Sequence, residues 1–596
     1  MSAVWSTPAR YVAEPGVSAA DDIVDNARVR PDHPAFARLV DGTWQSVTSK
    51  QFLDEVTSLA SGLIAAGIGP GDRVGLMSST RYEWTLCDFA IWTAGAISVP
   101  IYETSPPAQA EWILNDSGAV AVFAENDRCA AVLDAAATSP GLRRWQLDRD
   151  LDRLAAAGRT RPAAELAERR RMVGATTPAT IVYTSGTTGR PKGCVLTHGN
   201  LVAEIRNVAR ADGVADGVLT EHSSLLLFLP LAHILARMVA LVAVHNGTQL
   251  AHTSDLAGLA DELPRYRPTI ILGVPRVFEK LYDTARFIAV TGGHRHLFRA
   301  AESTAVAYSR SLETGRPGLP LRVAHRLFDR LVYAKVRATL GGRARHACSG
   351  GAPLGVRLGH FFRGCGVTVL EGWGLTETTS GTTLNLPAFQ RIGTVGRPLP
   401  GCAVRVDADG EVLVKGPNVF AGYWRDAAAT AGAFDTDGWL RTGDLGELDD
   451  GYLRITGRKK DLIVTASGKN VAPAPLEDRV RAHWLVGDCV VIGEARPYVA
   501  ALVTLDPDGF ARWKRQQGLA AAHGVAELLD HPNLVAEIQT AVDEANRTVS
   551  TAEGVRKFRV LAEPFQVGAE LTPSQKVRRE YVRSKLRPEI DELYAR

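Results

Sequence analysis

Thr180–Gly193, TIVYTSGTTGRPKG, is the stretch on which the reading of this chain turns. Thr180 to Tyr183 are β-branched or aromatic and predict the end of a buried strand. Four hydroxyl residues follow (Thr184, Ser185, Thr187, Thr188), interleaved with Gly186 and Gly189 and closed by Arg190 and Lys192. Glycine lets a backbone turn tightly and approach a ligand. Successive backbone N–H groups in such a turn form a concavity for an anion, and hydroxyls and cations add donors for phosphate oxygens. The spacing is not that of a P-loop, which needs Gly, four residues, then Gly-Lys-Ser/Thr. Counted from Gly186, Pro191 stands at the second Gly and Gly193 at the hydroxyl. Taken alone, the stretch also reads as an ordinary Thr/Gly-rich surface loop, so the rest of the chain has to decide.

Outward from the loop, strands and helices alternate. Helices are expected from Thr48 to the GIGPGD turn and over Tyr82–Gly95, and strands over Arg73–Met77, Ala96–Ile101 and Ser117–Ala124. This βαβ rhythm implies parallel sheets covered by helices. Residues 1–45 read as irregular apart from a short helix from Asp21, and residues 150–172 as a solvated connector. Its Glu168–Arg171 run is read as a wet surface rather than a binding patch. A helix from Leu201 is expected, with Thr197-His198-Gly199-Asn200 supplying its cap. Leu225–His245 approaches bilayer length, but Pro230, His233 and Arg237 interrupt it, and a central Arg costs at least ~2.5 kcal/mol on insertion scales. It is read as a strand, a turn at Pro230 and a helix from about His233. Residues 294–345 read helical, with eleven Lys/Arg against three Asp/Glu. A solvated face is the simpler account, and a face resting on anionic lipid is left open.

Composition narrows the class. At 596 residues the chain exceeds one core, and about three to five structural units are expected. A net charge of +3 gives no reason to expect a nucleic-acid partner. The seven cysteines are scattered without a CxxC, which implies reduced thiols, a cytoplasmic setting and no structural zinc. The N-terminus lacks a basic start before an apolar run, so no signal peptide is read. From Gly393 to Asp450 the pattern changes to short strands and tight turns, which suggest a small β unit (about 393–456), and the polar Gly457–Asp461 marks a boundary. Beyond it a strand near Leu462–Val464, a helix from about Ala474, strands near 488–493 and 499–505, and helices to the end are expected.

Five motifs in order, YTSGTTGRPKG, GGAPL (350–354), EGWGLTE (371–377), GWLRTGDLGELDDGYLRITGRKKDLIVTASGKN (438–470) and PSQK (573–576), resemble the adenylate-forming, AMP-binding enzymes. The resemblance runs from about residue 20 to 590. FLPLAHILAR, LGVPRVFEKLYD and VYAKVRATLGG look most like bacterial long-chain fatty acyl-CoA synthetases. The fold this implies is α/β: a large N-terminal domain (1–459) of α/β subdomains with parallel-rich sheets plus the small β unit, and a small mobile α+β C-terminal domain (460–596).

The resemblance also implies roles. Thr184, Ser185, Gly186, Thr187, Thr188 and Gly189 would hold the ATP phosphates, assisted by Lys192. Glu377 and Thr187 would hold Mg2+, a hard cation that prefers oxygen. Gly350, Gly351 and Ala352 would line the adenine pocket, with Glu371, Gly372, Trp373, Gly374 and Thr376 in the same nucleotide-binding set. Trp373 stands where the family usually has Tyr, so the ring can still stack on adenine but offers no phenol oxygen. Asp444 would bind the ribose hydroxyls and Arg458 ribose or phosphate. Lys576 would reach the α-phosphate and the substrate carboxylate, in a pattern looser than the family's usual one. Lys460 would be the hinge.

Activity is expected to be ATP-dependent formation of acyl-AMP and then acyl-CoA, with coenzyme A as co-substrate. An acyl-AMP ligase delivering to a carrier-protein thiol is the alternative. The apolar Phe228–Leu235 run favours a long-chain fatty acid, at roughly 0.8 kcal/mol per buried CH₂. His233 is read either as a gate at the mouth of an acyl tunnel or as a core His bonded to backbone. Peripheral membrane contact and a homodimer are left open.

Overall fold

The computed structural model describes residues 4–184, 190–256, 258–566, 568–572 and 576–595. Two compact units divide the chain. The first holds Met1–Arg405, Leu413–Thr442 and Leu448–Leu453; the second holds Val406–Val412, Gly443–Glu447 and Arg454–Arg596.

Two large sheets build the first unit. A seven-stranded sheet runs in the order Gly422–Tyr423, Lys192–Thr197, Pro178–Thr184, Ile97–Ile101, Arg73–Met77, Ala121–Ala124, Arg143–Gln146. Its last five strands are parallel, and the first three pair antiparallel. Both faces are covered, which is why its strands are continuous apolar runs. Ile97, Val99 and Ile101 pack against Ile113 and Leu114 on one side, while Val74, Leu76 and Phe123 join the main core on the other. A nine-stranded sheet is parallel through its centre (Thr368–Trp373, His346–Ser349, Ile270–Gly273, Ser224–Leu227, Gln249–His252, Pro34–Val40) and antiparallel at both edges.

One buried ion pair ties the two sheets together. Arg237, on the helix Ile234–Asn246 that connects two strands of the nine-stranded sheet, reaches into the seven-stranded one. Its guanidinium donates to Asp88 Oδ2 at 2.8 Å, Asp88 Oδ1 at 2.6 Å, Thr180 Oγ1 at 2.7 Å and Ser98 Oγ at 2.7 Å. It also lies against the rings of Trp84 and Trp92. No helix among the described residues is long and apolar enough to cross a membrane.

The second unit is an α+β layer. Val486–Ile492, Val499–Leu505 and Val555–Val560 form a three-stranded sheet. Alternate residues face opposite ways. Val491, Ala501 and Val503 meet Leu476, Ile538 and Val542 of two helices, whereas Val490, Ala500 and Leu502 meet Val582, Ile590 and Leu593 of two others.

The structure corrects five local expectations. Residues 34–48 are not irregular but a hairpin, turning at Asp41-Gly42 with φ of 47° and 73°, a two-residue turn that fits the strand twist. Ser117 ends the helix Pro107–Ser117, so the buried strand starts only at Ala121. The helix after the glycine loop begins at His198, not Leu201, because Thr197 Oγ1 accepts from Asn200 N–H at 3.1 Å in a capping box. The segment 150–172 is helical (Leu147–Gly158, Ala163–Arg171). Leu147, Leu151 and Leu154 face the core from the first of these helices, which meets the helix Ser49–Ala65 at glycines: a Cβ on Gly158 would lie 2.4 Å from Gly62 N. Val555–Val560 is a strand in a stretch read as helical; Arg556, Lys557 and Arg559 mark it as a charged sheet edge.

Candidate active site

The glycine loop joins two antiparallel strands. Thr184 ends one, Lys192 opens the other, and the two are register partners. Gly193 permits the crossing, since a Cβ there would lie 2.7 Å from Ile181 Cγ2 and 3.2 Å from Trp424 Cβ. Ser185, Gly186, Thr187, Thr188 and Gly189 lie outside the described residues, so the expected phosphate cradle is represented by its two ends, Thr184 and Lys192.

Beside those ends stands Glu377, on a 3-10 turn over Thr376–Thr378. The sheet edge fixes it. Gly422–Tyr423 adds as the outermost strand, pairing Tyr423 with Cys194, and Phe420 N–H donates to the Glu377 carbonyl at 2.8 Å. The Tyr423 hydroxyl then donates to Glu377 Oε1 at 2.8 Å, and the Lys192 ammonium lies 5.2 Å from the Tyr423 ring centre. Burial, followed by the charge of Glu377, pushes the Tyr423 phenol up, and the same two causes in the same order raise the Cys194 thiol. Both groups therefore stay neutral, and Tyr423 serves Glu377 as a donor. Tyr423 and Cys194 were not singled out from the sequence; the Gly422-Tyr423-Trp424 run of aromatics behind a glycine was the available signal.

A second wall forms at the carboxyl ends of the parallel strands, where open α/β sheets place ligands. Ser349 and Glu371 are register partners on neighbouring strands. Glu371 is buried, and its Oε1 accepts the Leu354 N–H at 2.9 Å, closing the turn that carries Gly350, Gly351 and Ala352. Burial pushes the Glu371 carboxyl up to about 7. Gly350 is buried, whereas Gly351 and Ala352 are exposed. A Cβ on Gly350 would come within 3.2 Å of Leu235 Cδ2. The Ser349 hydroxyl is buried without a partner among the described residues. Gly372, Trp373 and Thr376 are part-exposed. Gly374 allows the chain to double back, since a Cβ there would lie 1.5 Å from the Ser380 carbonyl oxygen. His233 caps the helix that brings Leu235 to Gly350. Its Nδ1 accepts the Leu235 N–H at 3.2 Å, the backbone-bonded arrangement, and the residue is part-exposed.

Asp444, Arg458 and Lys576 belong to the second unit. Asp444 is buried and paired with Arg458 at 2.8 Å. Lys576 is held by its backbone: its carbonyl accepts the Thr572 N–H at 2.8 Å, and its N–H donates to Thr572 Oγ1 at 3.0 Å. Its surface is exposed, yet loss of hydration at the ammonium, followed by Arg458, lowers its pKa; Asp444 opposes and Lys460 adds. Lys460 is exposed in the turn Lys459–Asp461. Its neighbour Lys459 is pinned to Asp409 at 2.6 Å and Glu411 at 3.0 Å.

Glu377 suits magnesium. Mg2+ keeps several waters and takes one or two carboxylates plus substrate phosphates. Among the described residues no group of three or more His, Cys, Asp or Glu is placed to hold a metal; Glu377 is a single oriented carboxylate beside the ends of the glycine loop.

Parallel-rich α/β sheets with a carboxylate beside the glycine loop, and a Lys–Asp–Arg set in a separate unit, define a class, and the comparisons agree. The AMP-binding enzyme family matches residues 23–424 and the AMP-binding enzyme C-terminal domain matches residues 460–596. The chain belongs to the AMP-binding enzyme family. It is 48% identical over 597 residues to the long-chain-fatty-acid–CoA ligase FadD15 of Mycobacterium bovis and to that of Mycobacterium tuberculosis, covering 99% of each chain in both cases. Its fold resembles the A domain of a carboxylic acid reductase from Segniliparus rugosus, solved with AMP and a co-purified carboxylic acid. That likeness has a TM-score of 0.75 at 20% identity and covers 98% of this chain and 94% of the other.

Proposed function

We propose that this chain is an ATP-dependent long-chain fatty acid–CoA ligase. The observation that carries the reading is near-complete alignment, at 48% identity, with ligases of that name. A carboxylate is a poor acyl donor because oxide would have to leave. In the first step a carboxylate oxygen of the fatty acid attacks the α-phosphorus of ATP, and the bond to the β-phosphate oxygen breaks. Acyl-AMP forms and pyrophosphate leaves. In the second step the sulfur of coenzyme A attacks the acyl carbon, gives up its proton to solvent, and AMP departs with the electrons of the C–O bond.

The residues divide this work. Residues 184–189 and Lys192 hold the β- and γ-phosphates, where hydrogen-bond donors and positive charge stabilise the transferring group. Glu377, oriented by Tyr423, and Thr187 hold Mg2+, which neutralises phosphate charge. The Gly350–Ala352 turn, braced by Glu371, and the run Gly372–Gly374 with Thr376 accept adenine, with Trp373 stacking. Asp444 accepts both ribose hydroxyls, a vicinal diol suited to a carboxylate, and Arg458 meets ribose or phosphate. Lys576 reaches the α-phosphate and the substrate carboxylate. Residues 1–459 and 460–596 act as separate domains: the segment beyond Lys460 turns about that residue between steps, withdrawing Lys576 and presenting Asp461–Asn470. The apolar Phe228–Leu235 run lines the acyl path, with His233 near its mouth.

AMP release measured over a series of fatty acids, with coenzyme A present or withheld, tests this. Turnover is expected to rise with chain length up to long acyl groups and to require coenzyme A for thioester. A sharp optimum for acetate or an aryl acid would refute the substrate class. Full adenylation with no coenzyme A turnover would point instead to a carrier-protein acceptor.

A further inference from the structure

The helix Leu319–Phe328 has no buried residue. Leu319, Val323 and Leu327 recur along it at four-residue intervals, and Leu331 continues the row; they are 70%, 59%, 56% and 43% exposed. Arg322, Arg326 and Arg330 step beside them at the same interval and are exposed too. The acids of residues 294–345 are all engaged elsewhere: Glu302 with Arg357 at 2.5 Å, Glu313 with Arg363 at 3.3 Å and Asp329 with Arg337 at 2.6 Å. The three arginines thus have no carboxylate partner among the described residues. The helix is nonetheless fixed from behind. His325 Nε2 bonds the Gly364 carbonyl at 2.7 Å, and its ring stacks on Tyr308 at 3.8 Å.

Single exposed apolar residues are ordinary. A row of four flanked by three uncompensated cations is the pattern of a helix lying in the interface of an anionic membrane. A twofold contact with a second copy would set the arginine row near itself, like charge against like. We infer that this helix seats the protein on an anionic phospholipid bilayer, with Leu319, Val323, Leu327 and Leu331 entering the headgroup–acyl boundary and Arg322, Arg326 and Arg330 meeting lipid phosphates. This seating depends on the exposed helix alone and is independent of the ligase reading.

Co-sedimentation of the full chain with phosphatidylcholine vesicles, with and without phosphatidylglycerol, tests it. Binding is expected only to the anionic vesicles and weakens with salt. Each basic side chain near an anionic surface contributes roughly fivefold, so Arg322→Gln/Arg326→Gln/Arg330→Gln should lower partitioning by on the order of 100-fold. Leu319→Gln/Val323→Gln/Leu327→Gln should lower it by at least about tenfold. Both variants change exposed side chains, and hydrogen exchange on the parent protein serves if either fails to fold: vesicles should protect residues 319–331. No binding to anionic vesicles, parent-like binding by both variants, or protection confined to another region would overturn the inference. So would a parent oligomer that the apolar variant dissociates while vesicle binding persists.

Discussion

Tyr423 and Glu371 each act by holding another group in place. The Tyr423 hydroxyl is a neutral donor aimed at one oxygen of Glu377. Such outer partners are worth about 10–100-fold in metal affinity. Tyr423→Phe keeps the ring against Lys192 and should raise the Mg2+ concentration for half-maximal AMP formation about tenfold. An unchanged Mg2+ dependence would remove Tyr423 from the site. Glu371 makes a pH prediction. Its folded pKa, pushed up to about 7 by burial, lies above the ordinary carboxyl value, so the folded state holds this proton more tightly than the unfolded one. The stability it contributes is full below the unfolded pKa and is lost as pH rises through about 7. The swing is on the order of 3 kcal/mol. Glu371→Gln should remove that swing, so the variant-minus-parent difference in urea unfolding moves in favour of Gln between pH 5 and 7.5. A difference that stays flat would mean the carboxyl does not titrate there.

At the scale of elements, the helix Ile234–Asn246 is held by a charge in the core. Arg237 and Asp88 are both buried and satisfy each other together with Ser98 and Thr180. Removing one partner strands the other, at a cost of about 3–5 kcal/mol. Asp88→Ala should lose stability on that scale in denaturant unfolding, while Asp88→Asn, which keeps an acceptor, loses less. Because Thr180 begins the run that leads to the glycine loop, Asp88→Ala should also weaken ATP binding. A loss under about 1 kcal/mol would mean the guanidinium finds water instead. The hairpin at 34–48, the helix Leu147–Gly158 and the edge strand Val555–Val560 escaped sequence reading. Turn chemistry, an Ala-, Asp- and Arg-rich composition and edge charge, in that order, masked them.

For the whole molecule, the segment beyond Lys460 has its own two-sided core, formed entirely from Ile463 onward, as the proposed turn about that residue requires. Lys460→Pro restricts the backbone there. It should leave pyrophosphate exchange within about threefold of parent and slow thioester formation by at least about tenfold. Equal loss of both half-reactions would count against a two-step rearrangement.

The motifs from Thr180 to Lys576, the alternation of strands and helices, and the interrupted apolar run at Leu225–His245 were legible because each depends on local spacing: glycines where a backbone must turn, hydroxyls and cations gathered in one short run, and periodicities of two and 3.6 residues. Only the tertiary structure brought Tyr423 to Glu377, Leu354 N–H to Glu371 and Arg237 to Asp88. Those partners stand 46, 17 and 149 residues apart. Their meeting is set by sheet order and register, which arise from packing whole elements around a common core and leave no periodic trace in the chain.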